Sequence, residues 1–200
     1  MLHEVDNTIA QLLKSRLPPD LGGKLSICFA TPGAGFPPPE LKLPAVNLYL
    51  YSAIPNYSLR ENAPTVHRSA DGTAQRIPPP ICVDCTYLVS IWTEANDKDP
   101  SAEEHGIYGT VLQALLGNPV IPQETLQGSL QNSQAGPVTT RVSQAYTQSP
   151  GNVRPALGAE NKLSFSYTVT FSMPVFAAEP VTLVTDKQIK IRTMELQATQ

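Results

Sequence analysis

Charge is scarce in this chain. Only 16% of its 200 residues are Asp, Glu, Lys or Arg, against about a quarter in an average soluble domain. The net charge is −3 and no basic run occurs, which excludes the electrostatic footprint of a nucleic-acid binder. No uninterrupted apolar stretch approaches the roughly 20 residues of a membrane span. Glu4 and Asp6 break the apolar pattern of the opening residues, so these do not read as a signal peptide. Cysteine is sparse as well: three residues, an odd number, fit a reducing compartment better than a disulfide framework. Internal repeats and low-complexity tails are lacking. These absences predict a soluble protein of the cytoplasm.

Proline is the abundant residue, with 20 copies and clusters at Pro37-Pro38-Pro39 and Pro78-Pro79-Pro80. A chain of this length buries about 70% of its unfolded surface and needs neither metal nor crosslink to fold. An apolar share of 41% is ordinary. Few charges joined by proline-rich connections predict a mostly β scaffold whose surface is covered by partners.

Hydrophobic spacing places the elements. Leu2, Val5, Ile9, Leu12, Leu13 and Leu17 make a helical stripe, stopped by Pro18-Pro19. LSICFA (25–30) and VNLYLYSA (46–53) alternate as strands, the second with Val46, Leu48 and Leu50 on one face and Asn47, Tyr49 and Tyr51 on the other. Residues 54–80 read as a long irregular connection, either a solvent loop or a contact surface. After a strand at 81–93, Ser101 and Glu104 form a capping box. Tyr108, Val111, Leu112 and Leu115 give the buried stripe of that helix, which Gly117, in a left-handed turn, and Pro119 end. Short β-like pieces follow near 125–130 and 138–143, then a polar loop to about 161. LSFSYTVTFSM (163–173) alternates strictly, with its hydroxyl side predicted wet or partner-facing. Beyond Pro180, residues 181–196 are extended.

The tempting chemistry is Cys82 and Cys85, a C-x-x-C pair. In a strand such residues lie roughly 10 Å apart on opposite faces, too far for a disulfide. Cys85 joins the apolar face of Ile81, Val83, Tyr87, Val89 and Ile91. No helix start lowers a thiol pKa here, and Cys28 alone does not complete a zinc set. Both cysteines therefore read as structural. His105 sits in the first turn of its helix, where the dipole disfavours imidazolium, and suits packing or an interface. An assembly of Cys82, His105 and Asp84 lacks the context of a nucleophile. TPGAGFPPPE has no Lys and no strand–loop–helix setting for a phosphate loop. The residues thus predict no enzyme, no cofactor and no metal. A β-rich module binding carbohydrate or peptide on Tyr49, Tyr51 and Trp92 stays open as an alternative.

Four phrases in order, VNLYLYSAIPNYSLREN, PPPICVDCTYLVSIW, AEEHGIYGTVLQALLGNPVIP and KLSFSYTVTFSMPV, resemble the N-terminal domain of the cap proteins of phage-tail-like contractile injection systems, a tail-terminator group. The resemblance runs from residue 1 to about 176 and leaves 177–200 as an extended C-terminal arm. It implies an α/β (α+β) fold, mostly antiparallel sheet with two packed helices. It also implies a hexameric ring at the end of the inner tube, with tube protein as partner, sheath as a second candidate, and a longer cap paralogue beside it. On this reading the candidate interface comprises Tyr49, Tyr51, Tyr57, Arg60, Arg68, Arg76 and His105, and in the arm Val181, Leu183, Ile189 and Ile191. The arm is expected to add a strand to a neighbour's sheet.

Overall fold

The computed structural model describes residues 1–33, 35–71, 73–94, 100–144, 162–182 and 189. In chain order these form α1 (Leu2–Arg16), α2 (Pro19–Gly22), β1 (Ser26–Cys28), β2 (Ala45–Pro55), β3 (Thr65–Arg68), β4 (Ala74–Ile77), β5 (Ile81–Trp92), α3 (Pro100–Leu116), β6 (Thr139–Gln144), β7 (Ser164–Met173) and β8 (Glu179–Val181). Two compact units result: Met1–Glu61 with Pro80–Val175, and Asn62–Pro79 with Phe176–Gln200.

The larger unit is a five-stranded sheet in the order β1-β2-β5-β7-β6. Only the β1–β2 pair is parallel, so the expected mostly antiparallel α+β architecture is the one observed. One face carries the odd-numbered residues of β5 and β7, from Val83 to Ile91 and from Phe165 to Phe171, and all of these are buried. Val5, Ile9, Leu12 and Leu13 of α1 and Ile107, Val111 and Leu115 of α3 pack into the same cluster. Each such side chain contributes about 1.5–3 kcal/mol by leaving water, which is what seats both helices. Tyr87 fastens the layers: its hydroxyl donates to Asp6 Oδ1 at 2.7 Å, from β5 to α1. The start of α1 is held by Ser129, whose Oγ donates to Glu4 Oε2 at 2.5 Å and draws the Glu4 carboxyl below its ordinary range. Gly128, at φ +61°, is needed there, because a Cβ would lie 2.6 Å from Glu4 Oε1.

The smaller unit is a three-stranded antiparallel sheet, β3-β4-β8. It corrects the reading of 54–80 as irregular. β2 runs on to Pro55, a 3-10 turn covers Tyr57–Leu59, and a hairpin follows. β3 and β4 are almost wholly exposed, so no alternation marks them in the sequence.

Other expectations change too. The piece near 125–130 is two 3-10 turns, Gln123–Thr125 and Gly128–Gln131. Helix α3 already begins at Pro100, which puts Ser101 inside it rather than at a cap. Glu104 faces Lys162 Nζ at 3.1 Å. Gly117 ends α3 without a left-handed φ, and Asn118 Nδ2 donates to Ala114 O at 2.8 Å to close the turn. The hydroxyl side of β7 is largely covered: Ser166, Thr168 and Ser172 are buried, while Ser164 and Thr170 are half-buried. β7 lies between β5 and β6, flanked by a strand on each side.

Two glycines in the middle of α3 have no such explanation. A Cβ on Gly106 or Gly109 would meet nothing within 4 Å, while glycine inside a helix costs about 0.5–1 kcal/mol relative to alanine. Gly106→Ala and Gly109→Ala are therefore each expected to raise the stability of the isolated chain by about 0.5–1 kcal/mol, read as a shift of the urea midpoint. An unchanged or lower midpoint would show that these positions are constrained within the fold.

Candidate contact surface

The second face of the large sheet is mainly polar, with Leu88 buried at its centre. Thr86 and Thr168 share a hydrogen bond of 3.2 Å. Tyr51, at an irregularity in the register of β2, reaches across β5 to Ser166 Oγ at 3.0 Å. At the Trp92 end this face is closed: Phe36 meets the Trp92 ring edge-on at 4.6 Å and Lys162 Nζ lies 4.9 Å from its centre.

The opposite end is organised around Asp84. Its carboxylate accepts from Thr170 Oγ1 at 2.6 Å and from Asn56 Nδ2 at 3.1 and 3.2 Å, with Arg141 at 4.0 Å. Hydrogen bonds to a charged acceptor are the strong kind, about 1.5–3 kcal/mol each. Asn56 is held by the sheet on one side and holds a turn on the other. Its backbone N–H donates to Cys82 O at 2.8 Å, and its Oδ1 accepts from Ser58 N at 3.1 Å and Leu59 N at 3.3 Å. This is the capping arrangement asparagine favours. The turn so fixed puts apolar side chains into solvent: Tyr57 is 73% exposed and Leu59 51%, beside Ile54 at 52%.

Next to them lies a cavity of about 290 Å³, lined by Leu59, Glu61, Pro80, Cys82, Pro137, Phe171, Thr139, Thr170 and Ser172. Its loop wall is clamped by Gln134, which accepts from Ser172 N at 2.8 Å and donates to Ser172 O at 3.1 Å. Hydrogen-bonded, partly apolar and open, this end of the sheet has the make-up of a protein-contact surface.

The expected interface residues are scattered. Tyr57 and Arg60 belong to this end and are exposed. Tyr49 and Tyr51 are half-buried in β2. Arg68 and Arg76 are exposed on the smaller unit, and His105 on α3. Val181 is half-buried in β8, paired with Ala74 of its own chain. Ile189 is 71% exposed, and Leu183 and Ile191 lie outside the described residues. Trp92, at 6% exposure, is shut off as a stacking platform. Asn56, Ile54 and Gln134 were not singled out in the sequence, and Asp84 was weighed there only beside Cys82 and His105. Asn56 could have been, since Pro-Asn followed by Tyr-Ser is a turn signal.

The C-x-x-C pair divides as strand geometry requires. All three cysteines are free thiols. Cys85 is fully buried in the core, and its thiol is pushed up to about 12, by burial first and then by the charges of Asp6 and Asp84. Burial also raises Cys28. Among the described residues no group of three or more His, Cys, Asp or Glu is placed to hold a metal, and no helix is long and apolar enough to cross a membrane.

The fold matches those of two solved tube-terminating proteins. It is shared with an extracellular contractile injection system's PVC sheath/tube terminator in the extended state, at a TM-score of 0.65 and 21% identity over 98% of this chain and 65% of that one. It is likewise shared with the anti-feeding prophage cap, a tube-terminating cap, at a TM-score of 0.68 and 22% identity over 96% of this chain and 62% of that one. This chain thus spans under two thirds of either protein's length. The family model of the Pvc16 N-terminal domain matches residues 4–185, and the chain belongs to that family. No curated protein matches it.

Two outcomes follow from the geometry. Asn56→Ala removes the cap and one arm of the Asp84 network, and is expected to cost about 1–2 kcal/mol. It should also speed amide exchange at Ser58 and Leu59 at least tenfold; exchange at the wild-type rate would show that the turn is held by something else. For Cys85, the raised pKa means the thiolate is favoured only in the unfolded chain at pH 9–12, so this group withdraws stability as pH rises through that range. At pH 8 Cys85 should resist a thiol reagent until denaturant is added; rapid labelling of the native protein would contradict its burial.

Proposed function

We propose that this chain is a cap that ends the inner tube of a contractile injection system, acting by shape rather than by catalysis. The observation that carries the reading is family membership across nearly the whole chain together with the terminator fold. Its copies close head-to-tail into a hexameric ring, which stops growth because the repeated rotation returns to its start. The exposed Ile54–Tyr57–Leu59 end and its cavity supply a contact with tube or with the next copy, and the pinned turn keeps the ordering cost of that contact low. Sheath protein and a longer cap paralogue are further partners, assembly takes place in the cytoplasm, and the C-terminal arm ties neighbouring subunits together. No step in this role needs a cofactor or a nucleophile.

Purified chain mixed with tube subunits is expected to shorten the tubes and to leave a ring at one end in negative-stain images. Tyr57→Ser with Leu59→Ser should abolish that end density while leaving the fold intact by circular dichroism. Tubes of unaltered length with bare ends in the presence of the wild-type chain would overturn the cap reading. Deleting residues 182–200 tests the arm separately: capping and ring size identical to wild type would remove it from the role.

A further inference from the structure

The small sheet poses a physical problem. Among its described strand residues only Ala74 is buried, whereas a three-stranded sheet needs a covered apolar face to hold its shape. The register assigns its faces. Val66 lies opposite Arg76, Arg68 opposite Ala74, Ala74 opposite Val181 and Arg76 opposite Glu179. One face therefore carries two rows across the strands, Val66–Arg76–Glu179 and Arg68–Ala74–Val181, with Arg76 and Ala74 on the central strand and the two valines at opposite corners. Val66 is 48% exposed, and neither arginine has an ion-pair partner among the described residues. Addition of a further strand at β8 is hindered by Pro180, which has no N–H to donate. The exposed face, rather than that edge, is what offers itself for docking.

The chain also carries a surface of matching chemistry. Beside the exposed apolar trio Ile54, Tyr57 and Leu59 stand Arg60 and Glu61, both exposed. Apolar meets apolar, Glu61 answers the arginines, Arg60 answers Glu179, and the Tyr57 ring is a face on which a guanidinium can stack.

We infer that the Val66–Arg68–Arg76–Val181 face of one copy docks on the Ile54–Tyr57–Leu59–Glu61 surface of a second copy. The inference rests on the cap reading only in taking the partner to be another copy of this chain. Two different surfaces meeting make a heterologous contact, the kind that closes rings.

Sedimentation velocity over a concentration series, without tube protein, tests this. R68E/R76E and E61R are each expected to weaken self-association at least about tenfold, and the combination to recover most of the loss, as a charge swap across one contact does. Rising salt should weaken the wild-type association but not that of R68Q/R76Q, a milder pair that also covers the case in which R68E/R76E misfolds. A wild-type chain that stays monomeric throughout, or an R68E/R76E or R68Q/R76Q chain that associates like wild type, overturns the inference. A parallel arm with tube subunits separates the two ideas. If wild-type chain limits tube length while the charge variants still self-associate, the cap reading stands and this contact falls. If wild-type chain self-associates with the expected charge dependence but leaves tube length untouched, the contact stands and the cap reading falls.

Discussion

The carboxylate of Asp84 is the point through which the exposed end of this protein is held. It sits on β5 and gathers hydrogen bonds from Asn56, beyond β2, and from Thr170 on β7, with Arg141 of β6 alongside. One side chain thus ties β5 by hydrogen bonds to β7 and to the residue that follows β2, with Arg141 of β6 as a longer ion pair. A half-buried charge is tolerable only when its oxygens are satisfied, so the neighbours that satisfy it are fixed in turn. Asn56 passes that order outward to a turn whose own side chains bury little. Surface apolar groups held this way lose little entropy on contact, which is how a small patch becomes useful.

The two faces of the sheet divide the work. The helix-covered face is apolar and supplies stability. The other carries hydroxyls, amides and one carboxylate around a buried Leu88, closed at the Trp92 end by Phe36 and Lys162 and open at the Asp84 end. Such a polar layer adds less net stability than an apolar one but constrains geometry closely, because every group in it must find its partner.

Much of this was legible in the residues. α1, β2, β5, α3 and β7 announce themselves by period, and the separation of Cys82 from Cys85 follows from strand geometry alone. The smaller unit was not legible: β3 and β4 have four residues each, nearly all exposed, and periodicity records burial, not pairing. The hydroxyl row of β7 was read as wet or partner-facing because alternation says which side is polar but not what covers it. Tyr57 was found from its place in an unexplained stretch. Asn56 and Asp84, which position it, are polar residues whose importance lies in contacts 28 positions apart, a distance no local pattern spans.

Pro180 in β8 has an implication for assembly at large. An open sheet margin is where chains recruit one another without limit, and a residue unable to donate at that margin interrupts the recruitment. For a molecule proposed to bring a growing cylinder to a halt, immunity to runaway stacking of its own sheets is a condition of the task. One imino acid, placed in a strand three residues long, goes some way to meeting it.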